Sequence, residues 1–343
     1  MQNLIISSVC ILRNTKRLQF LLLCMCFLLI GNTAISWAVE YRIRDLGTLG
    51  GDGSLAFDVN DNGQVVGVAS RAGNNYAPAF LWQNGSMQDL GTLGESPQSV
   101  ATGINNSGQV VGYSEGGHAF LWQNGSMQDL GVNATNVAIN DNGQVVGSLG
   151  GPSFLWQNGS MQNLGNKMPN DINNAGQVVG WGYNSHAFLW QIGLMLTQDL
   201  GTLYGGNSEA YAINNIGQVV GVSDNHGFLW QNGLMQDIGF LRVGYDINDI
   251  GQVVGWAGDA AGNNHPFLWQ NGSIQFLDTL GGLKNSKAYA INNNGLIVGY
   301  STDAAGNQHA VLWEPVPEPS SLAVLVLGLF PLIGAARGRW RRK

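Results

Sequence analysis

Short segments of alternating apolar and polar residues, separated by Gly- and Asn-rich turns, fill most of the chain. In one stretch, Val100–Asn105, Gln109–Tyr113, His118–Gln123 and Ser126–Leu130 each have the length of a β-strand. Asn124-Gly125 joins the last two segments, and these residue types tolerate the positive φ angles of a tight hairpin turn. The pattern therefore predicts four antiparallel strands in a unit of about 40 residues.

This unit occurs seven times. Each copy contains Phe-Leu-Trp-Gln or a close variant, with its tryptophan at Trp82, Trp122, Trp156, Trp190, Trp230, Trp269 or Trp313. An Asn-x-x-Gly-Gln-Val-Val-Gly element, varied in the last copy, precedes each of them and starts at Asn60, Asn105, Asn140, Asn173, Asn214, Asn248 or Asn292. A period near 40 residues with four strands per copy is typical of a β-propeller blade.

The ends of the repeat array predict how it closes. A strand-like segment, Tyr41–Leu46, precedes the first copy, and the last copy stops after its third strand at Trp313. If the first segment completes the last copy, seven four-stranded antiparallel blades form a ring without open edges. We therefore predict an all-β, seven-bladed β-propeller over residues 39–315. An open β-solenoid is the alternative, and it would need no such additional strand.

The N-terminal segment has the three parts of a secretory signal peptide. The apolar run Leu18–Ile30, interrupted only by Gln19, follows a basic region and precedes the small-residue site Ser36-Trp37-Ala38. We predict that residues 1–38 are removed on export. All three cysteines lie in this segment, at Cys10, Cys24 and Cys26. The mature protein would therefore have neither disulfides nor thiol chemistry.

The C-terminal segment, residues 316–343, combines Pro317-Glu318-Pro319, an apolar run at Leu322–Ala336 and a basic tail. This order resembles the PEP-CTERM sorting signal of Gram-negative bacteria. The resemblance implies transient membrane association through a transmembrane helix at residues 322–336 and processing by an exosortase-type enzyme. It also implies release to the cell surface or the extracellular matrix of a biofilm. A permanent C-terminal anchor is the alternative.

The repeat itself resembles the HAF family of probable extracellular repeats. The family motif His-Ala-Phe occurs at His118-Ala119-Phe120 and at His186-Ala187-Phe188, and the resemblance covers about residues 45–314. It implies secretion, in agreement with the two export signals. It implies no activity, because none is established for the family.

Composition and charge exclude several classes of protein. The chain has 343 residues with 50 Gly, only 9 Pro, 44% hydrophobic and 11% charged residues, which does not fit collagen, a disordered chain or a coiled coil. The formal charge is −7, but eight basic residues lie in residues 1–38 and 320–343. Without these segments, 7 basic residues face 22 acidic ones, giving −15. Such a charge repels polyanions and excludes nucleic-acid binding.

Five histidines occupy the same place in the repeat, two residues before the Phe or Val of the third strand. They are His118, His186, His226, His265 and His309, whereas Pro78 and Pro152 replace them in the first and third copies. Such a set on one face of a propeller could contact a ligand, so all five are candidate ligand-binding residues. The favoured alternative is that each histidine hydrogen-bonds the nearby Asp-Leu-Gly loop and fixes the geometry of its blade.

The tryptophans divide into two groups. The seven in Phe-Leu-Trp are expected to pack in the core between blades. Trp181 and Trp256 instead follow the Gln-Val-Val-Gly strand and have no tryptophan counterpart in the other copies. Because they depart from the repeat, we rank them as candidate ligand contacts.

The sequence favours binding over catalysis. No nucleophile-elbow, zinc-protease or phosphate-loop motif is present, and no cofactor is expected. The segment from Asp58 resembles the start of a calcium loop, but its twelfth position is Ala69 instead of Glu, so no metal site is predicted. We therefore predict a non-catalytic binding or scaffold protein of the extracellular matrix, with exopolysaccharide or envelope proteins as partners. The alternative is an extracellular glycan hydrolase or lyase with its site at the propeller mouth.

Overall fold

The computed structural model describes residues 39–317 apart from 74–75, 96, 149–151, 183, 195, 240–242 and 282–284. The predicted signal peptide and the predicted sorting signal from Glu318 onward lie outside the described residues, so both stay predictions. Within the described part, no helix has the length and apolar character needed to span a bilayer.

In the described residues, twenty-eight strands form seven four-stranded antiparallel sheets. In chain order they are β1 (Tyr41–Asp45), β2 (Gly50–Val59), β3 (Val65–Arg71), β4 (Ala79–Gln83), β5 (Ser86–Asp89), β6 (Ser99–Ile104), β7 (Val110–Ser114), β8 (His118–Gln123), β9 (Ser126–Asn133), β10 (Asn136–Ile139), β11 (Val145–Ser148), β12 (Ser153–Gln157), β13 (Ser160–Gly165), β14 (Met168–Ile172), β15 (Gln177–Trp181), β16 (Ala187–Gln191), β17 (Thr197–Gly201), β18 (Ser208–Ile213), β19 (Val219–Ser223), β20 (His226–Gln231), β21 (Leu234–Asp237), β22 (Val243–Ile247), β23 (Val253–Gly258), β24 (Asn264–Gln270), β25 (Ser273–Phe276), β26 (Lys287–Ile291), β27 (Ile297–Thr302) and β28 (Gln308–Pro315). One 3-10 turn, Glu115–Gly117, precedes β8.

Each sheet is a blade whose strands we call a to d, from the channel outward. Blades 1 to 6 use four successive strands each, from β2–β5 to β22–β25. Blade 7 consists of β26, β27 and β28 as strands a to c, and β1 supplies strand d. The register of β1 on β28 runs from Tyr41 opposite Pro315 to Asp45 opposite Val311. The predicted seven-bladed ring and its closure by the N-terminal strand are confirmed, and the open solenoid is wrong.

The turns explain why these sequences form hairpins. The a–b and c–d turns lie on one side of the ring, which we call the turn face, and the b–c and d–a connections lie on the other, the loop face. In the c–d turn of blade 2, Asn124 has φ 53° and Gly125 has φ 81°. Such angles suit the primed turns that match the twist of the flanking strands.

One glycine in each b strand is required by a close approach of two strands. At Gly112 in blade 2, a Cβ atom would overlap the carbonyl oxygen of Val100 and lie 2.9 Å from the ring of Phe120. The glycine of Gln-Val-Val-Gly therefore allows strand a and the phenylalanine of strand c to pack onto strand b.

The core lies between blades. One buried cluster joins Val66 and Leu81 of blade 1 to Ala101, Phe120 and Trp122 of blade 2. An equivalent cluster joins blade 7 to blade 1, so the joint that closes the ring is packed like the others. Six of the seven repeat tryptophans are at most 8% exposed, and Trp156 packs at the edge of its cluster. Their predicted role in core packing is confirmed.

Six of the seven a strands contain a β-bulge near their turn-face end. In blade 2, for example, Ala101 pairs with Gly112 and Gly103 with Val111, so Thr102 has no partner on strand b. Strand a of blade 3 pairs Val137, Ala138 and Ile139 in regular register and has no bulge. The bulges matter for function because they place one additional residue per blade in the wall of the channel.

Candidate functional site

The turn-face mouth of the channel is held by a closed ring of seven asparagines. Each asparagine that starts an a–b turn donates from Nδ2 to the backbone carbonyl of the equivalent asparagine in the next blade. The last of these bonds runs from Asn292 of blade 7 to Asn60 of blade 1 over 2.8 Å. In blade 2, Asn105 also donates to Gln109 and accepts the N–H groups of Ser107 and Gln109. The side chain is therefore fully satisfied, as a buried amide must be.

A second ring lies one residue further along each turn. The backbone N–H of each member donates to the side-chain oxygen of the equivalent Asp or Asn in the next blade, over 2.8 to 3.0 Å. Its members are Asp61, Asn106, Asp141, Asn174, Asn215, Asp249 and Asn293. Together the two rings surround a cavity of about 160 Å³ at this mouth. This end of the channel is built from residues that follow the repeat.

Three aspartates that break the repeat lie one layer deeper in the channel. Asp58, Asp171 and Asp246 each accept the N–H of the following residue and the N–H of an isoleucine in the next blade, over 2.7 to 2.9 Å. They link blade 1 to 2, blade 4 to 5 and blade 6 to 7, which are the six blades whose a strand has a bulge. Each carboxylate is therefore a bridge at the inner edge of two neighbouring sheets.

The environment of these carboxyls favours their neutral form. Burial raises the pKa of Asp246 to about 8, of Asp58 to about 7 and of Asp171 to about 6. The two N–H groups that each carboxylate accepts act in the opposite direction but are outweighed. The charge of Asp171 raises the pKa of both other carboxyls further.

Above the three aspartates, the channel widens into a cavity of about 480 Å³ that opens toward the loop face. We call this cavity the funnel. Its wall comes from the a strands of all seven blades, and its floor includes the three aspartates. The volume falls in the range of typical small-molecule sites, about 300–1,000 Å³.

One half of the funnel wall is aromatic. Phe57, Tyr211, Tyr245 and Tyr289 are the bulge residues of blades 1, 5, 6 and 7. Their ring centroids form a chain of contacts: Tyr211 to Tyr245 at 5.6 Å, Tyr245 to Tyr289 at 5.2 Å, and Tyr289 to Phe57 at 5.5 Å. We call these four residues the aromatic arc. All four are only partly buried, so the arc borders the open space of the funnel.

The opposite half of the wall, which we call the polar half, has polar side chains among valine, alanine and isoleucine side chains and one tyrosine of a b strand. Thr102 and Asn170 occupy the bulge position in blades 2 and 4, and Asn136 of blade 3 lies between them. Asn170 donates to Glu209 over 3.2 Å, and the hydroxyl of Tyr211 donates to the same carboxylate over 3.2 Å. Glu209 therefore connects the polar half to one end of the aromatic arc.

The two candidate tryptophans lie beside the funnel but in different surroundings. Trp256 donates from its indole nitrogen to the hydroxyl of Tyr245 over 3.3 Å, and the Lys287 ammonium lies 4.6 Å from its ring centroid. Trp181 instead lines a separate cavity of about 450 Å³ between the b–c loops of blades 4 and 5. We call this cavity the Trp181 groove. Glu209 lines both the groove and the funnel, so the two spaces are adjacent at this residue. A ligand contact by either tryptophan stays a prediction.

The structure places the five histidines on the loop face, each beside a carboxylate and outside the funnel lining. His118, His186, His226 and His309 lie 2.9 to 3.6 Å from the aspartate of strand d. Each of these aspartates also accepts the N–H of the glycine two residues on. His265 contacts Asp259 at 2.9 Å instead, because Phe276 replaces the strand-d aspartate and contacts the imidazole edge-to-face, with 5.9 Å between ring centroids. These contacts support the alternative of a structural role, and ligand binding by the histidines stays a prediction.

Among the described residues, no three His, Asp or Glu side chains are grouped closely enough to hold a metal ion. The segment from Asp58 that resembles a calcium loop is the a–b hairpin turn of blade 1, closed by the hydrogen bond from Asn60 N–H to the carbonyl of Gln64.

Sequence reasoning missed the aromatic arc and two of the three channel aspartates. The signal was present at fixed distances before each turn asparagine. Three residues before it, four of the seven copies have an aromatic residue, and two residues before it, three have Asp. In an ordinary strand these neighbours would face opposite sides of the sheet, and only the bulge brings both into the channel.

Comparison with known proteins gives a partial family match. The family described as "protein of unknown function (DUF3466)" matches residues 48–128, about a quarter of the chain. The search of curated proteins finds no match.

Three solved structures have a similar fold at low sequence identity. An oligogalacturonate lyase from Vibrio parahaemolyticus gives a TM-score of 0.59 at 10% identity, covering 82% of this chain and 98% of the lyase. U3-55K gives 0.56 at 14% identity, with 80% and 98% covered. YCF48, solved with a D1 peptide, gives 0.52 at 13% identity, with 83% and 99% covered. At these identities the likeness supports the propeller fold alone.

Proposed function

We propose that this propeller is exported to the cell surface or matrix and binds an extracellular glycan in its funnel without cleaving it. The observation that carries the proposal is the division of the funnel wall into the aromatic arc and a polar half. A pyranose ring has the same division, because C–H groups form its faces and hydroxyl groups surround its edge. Aromatic rings pack on such faces, while amides and carboxylates accept or donate to hydroxyls.

The location of the funnel residues supports a binding role. The a strands otherwise follow the repeat, and departures from it concentrate where the channel opens. The two predicted export signals would place the funnel in contact with exopolysaccharide, and an exosortase-type enzyme would process the C-terminal one. Envelope proteins are the other partners predicted from the sequence.

The test is a glycan-binding assay with the full-length protein and its Tyr289→Thr variant. Thr102 already occupies the equivalent bulge position in blade 2, so threonine is compatible with the backbone there. We expect the wild type to bind at least one bacterial exopolysaccharide and the variant to lose about tenfold in affinity or more. Phe276→Ala, which removes an exposed aromatic ring outside the funnel lining, serves as the matched control and should bind normally. No binding to any glycan, or equal binding by the Tyr289 variant, contradicts the proposal.

A second function, glycan hydrolysis or lyase chemistry, has one observation in its favour. The three carboxyls on the funnel floor have pKa values raised by burial to about 6 to 8, a range suited to proton transfer near neutral pH. Incubation with the glycan that binds separates the two functions. Release of short products, lost in Asp246→Asn while binding remains, would replace the binding role by catalysis.

A further inference from the structure

We infer that the funnel holds the end of a neutral sugar chain and that the Trp181 groove holds the residues next to that end. This inference rests on the proposed function and specifies its ligand. Three features of the described residues carry it: the narrowing of the channel, the charge of the funnel lining and the connection of the groove to the funnel.

The channel narrows away from the loop face. The funnel of about 480 Å³ is followed by the cavity of about 160 Å³ inside the two hydrogen-bonded rings. The smaller cavity is below the range of about 300–1,000 Å³ that ligand pockets occupy. The rings are closed by hydrogen bonds between all seven blades, so widening this mouth would break bonds at several joints. A sugar chain that enters the funnel therefore stops there, and the funnel holds the end of that sugar chain.

The charge of the lining selects against acidic sugars. Asp58, Asp171, Asp246 and Glu209 line the funnel, and none of the described Lys or Arg residues does. A uronate would bring a carboxylate next to Glu209 and next to three aspartates whose ionisation burial already disfavours, and no described cation of the lining would pair with it, which is unfavourable in a partly buried space. Hydroxyl groups, in contrast, donate to the Glu209 carboxylate and exchange hydrogen bonds with neutral carboxyl groups. The matching ligand is a neutral sugar.

The Trp181 groove gives the rest of the chain a path outward. Glu209 lines both spaces, so a sugar residue in the funnel and the next one in the groove would share this carboxylate. Trp181 supplies an aromatic surface in the groove, while Asn207, Asp224 and Asn225 supply polar groups. Trp256, at the same place in blade 6, has the Lys287 ammonium over its ring and is bonded to Tyr245. We therefore expect the sugar chain to leave the funnel between blades 4 and 5.

An array of neutral and acidic glycans, each immobilised through its reducing end, tests this inference with the full-length protein. We expect binding to neutral glycans of three or more residues, and competition by the free monosaccharide identical to the terminal residue. Trp181→Ala should weaken binding of these glycans about tenfold but leave binding of that monosaccharide unchanged. Tyr289→Thr should weaken both, and Phe276→Ala neither.

The outcomes separate this inference from the proposed function. Preference for uronate-containing glycans, competition only by internal segments of the chain, or equal binding by Trp181→Ala would overturn the inference while leaving glycan binding in place. Absence of binding to every glycan of the array would overturn both.

Discussion

The two mouths of the central channel lie at opposite ends of the same seven a strands, yet different kinds of residues form them. At the turn face, asparagines and aspartates repeat in all seven blades and bond one another in closed rings. At the loop face, the equivalent strand positions carry Phe, Thr, Val, Asn or Tyr, and they leave a funnel with two unlike halves. Positions that follow the repeat hold the ring together, and positions that depart from it form the candidate site.

The largest effect is expected from breaking the turn-face ring. Asn105→Ala removes a side chain that makes four hydrogen bonds, and it leaves two backbone N–H groups and the carbonyl of Asn140 without this partner. We expect the free energy of unfolding to fall by roughly 3 kcal/mol or more, measured by urea denaturation.

The control lies in the same turn. Ser107 is exposed at position three of the turn, so Ser107→Ala should change the free energy of unfolding by less than about 0.5 kcal/mol. Equal effects of the two substitutions would mean that the ring contributes nothing specific to stability.

An intermediate effect is expected from the aspartates below the funnel. Because burial raises the pKa of Asp246 to about 8, the folded protein binds more protons than the unfolded chain between about pH 4 and pH 8. The free energy of unfolding therefore falls as pH rises through this window and levels off above it. Asp246→Asn should reduce the slope by up to about 1.4 kcal/mol per pH unit.

Urea denaturation at pH 5, 6, 7 and 8 measures this slope. The difference between wild type and variant cancels the contributions of groups that do not interact with Asp246. Asp246→Asn replaces one acceptor oxygen by an amide NH2 group, which changes the free energy of unfolding at every pH. Only the slope of this free energy against pH therefore reports the ionisation of Asp246. An unchanged slope would show that Asp246 is ionised throughout this range.

The smallest effect is expected at the rim of the loop face. His118 has a side chain 53% exposed and lies 3.6 Å from Asp129. Exposed pairs of this kind contribute little, so His118→Gln should change the free energy of unfolding by less than about 0.5 kcal/mol and leave glycan binding unchanged. Loss of binding in the array would instead assign the rim histidines to the ligand site.

The architecture could be predicted from the sequence because the motif that defines a blade occurs seven times. Seven turn motifs and an additional strand at Tyr41 define the number of blades and the closure of the ring. The site was harder to predict because it depends on register. Tyr245 and Asp246 are adjacent in sequence, and only the bulge between Gly244 and Asp246 brings both into the channel wall. A periodic pattern of burial contains no sign of such a shift.

The candidate tryptophans show a second limit of the sequence. Trp181 and Trp256 occupy the same position of the repeat, and the sequence ranked them equally. In the structure, Lys287 and Tyr245 contact Trp256, whereas Trp181 borders an open groove. The difference comes from neighbouring blades, which no pattern within one copy describes.

The closure of blade 7 also determines on which side of the ring the first and last strands of the propeller begin and end. Tyr41 and Pro315 are opposite each other in the last sheet, and both lie at the turn-face end of their strands. The chain therefore enters and leaves the ring on the side of the narrow mouth. Attachment to a surface through either end would hold the propeller by that side. The funnel would then face away from that surface.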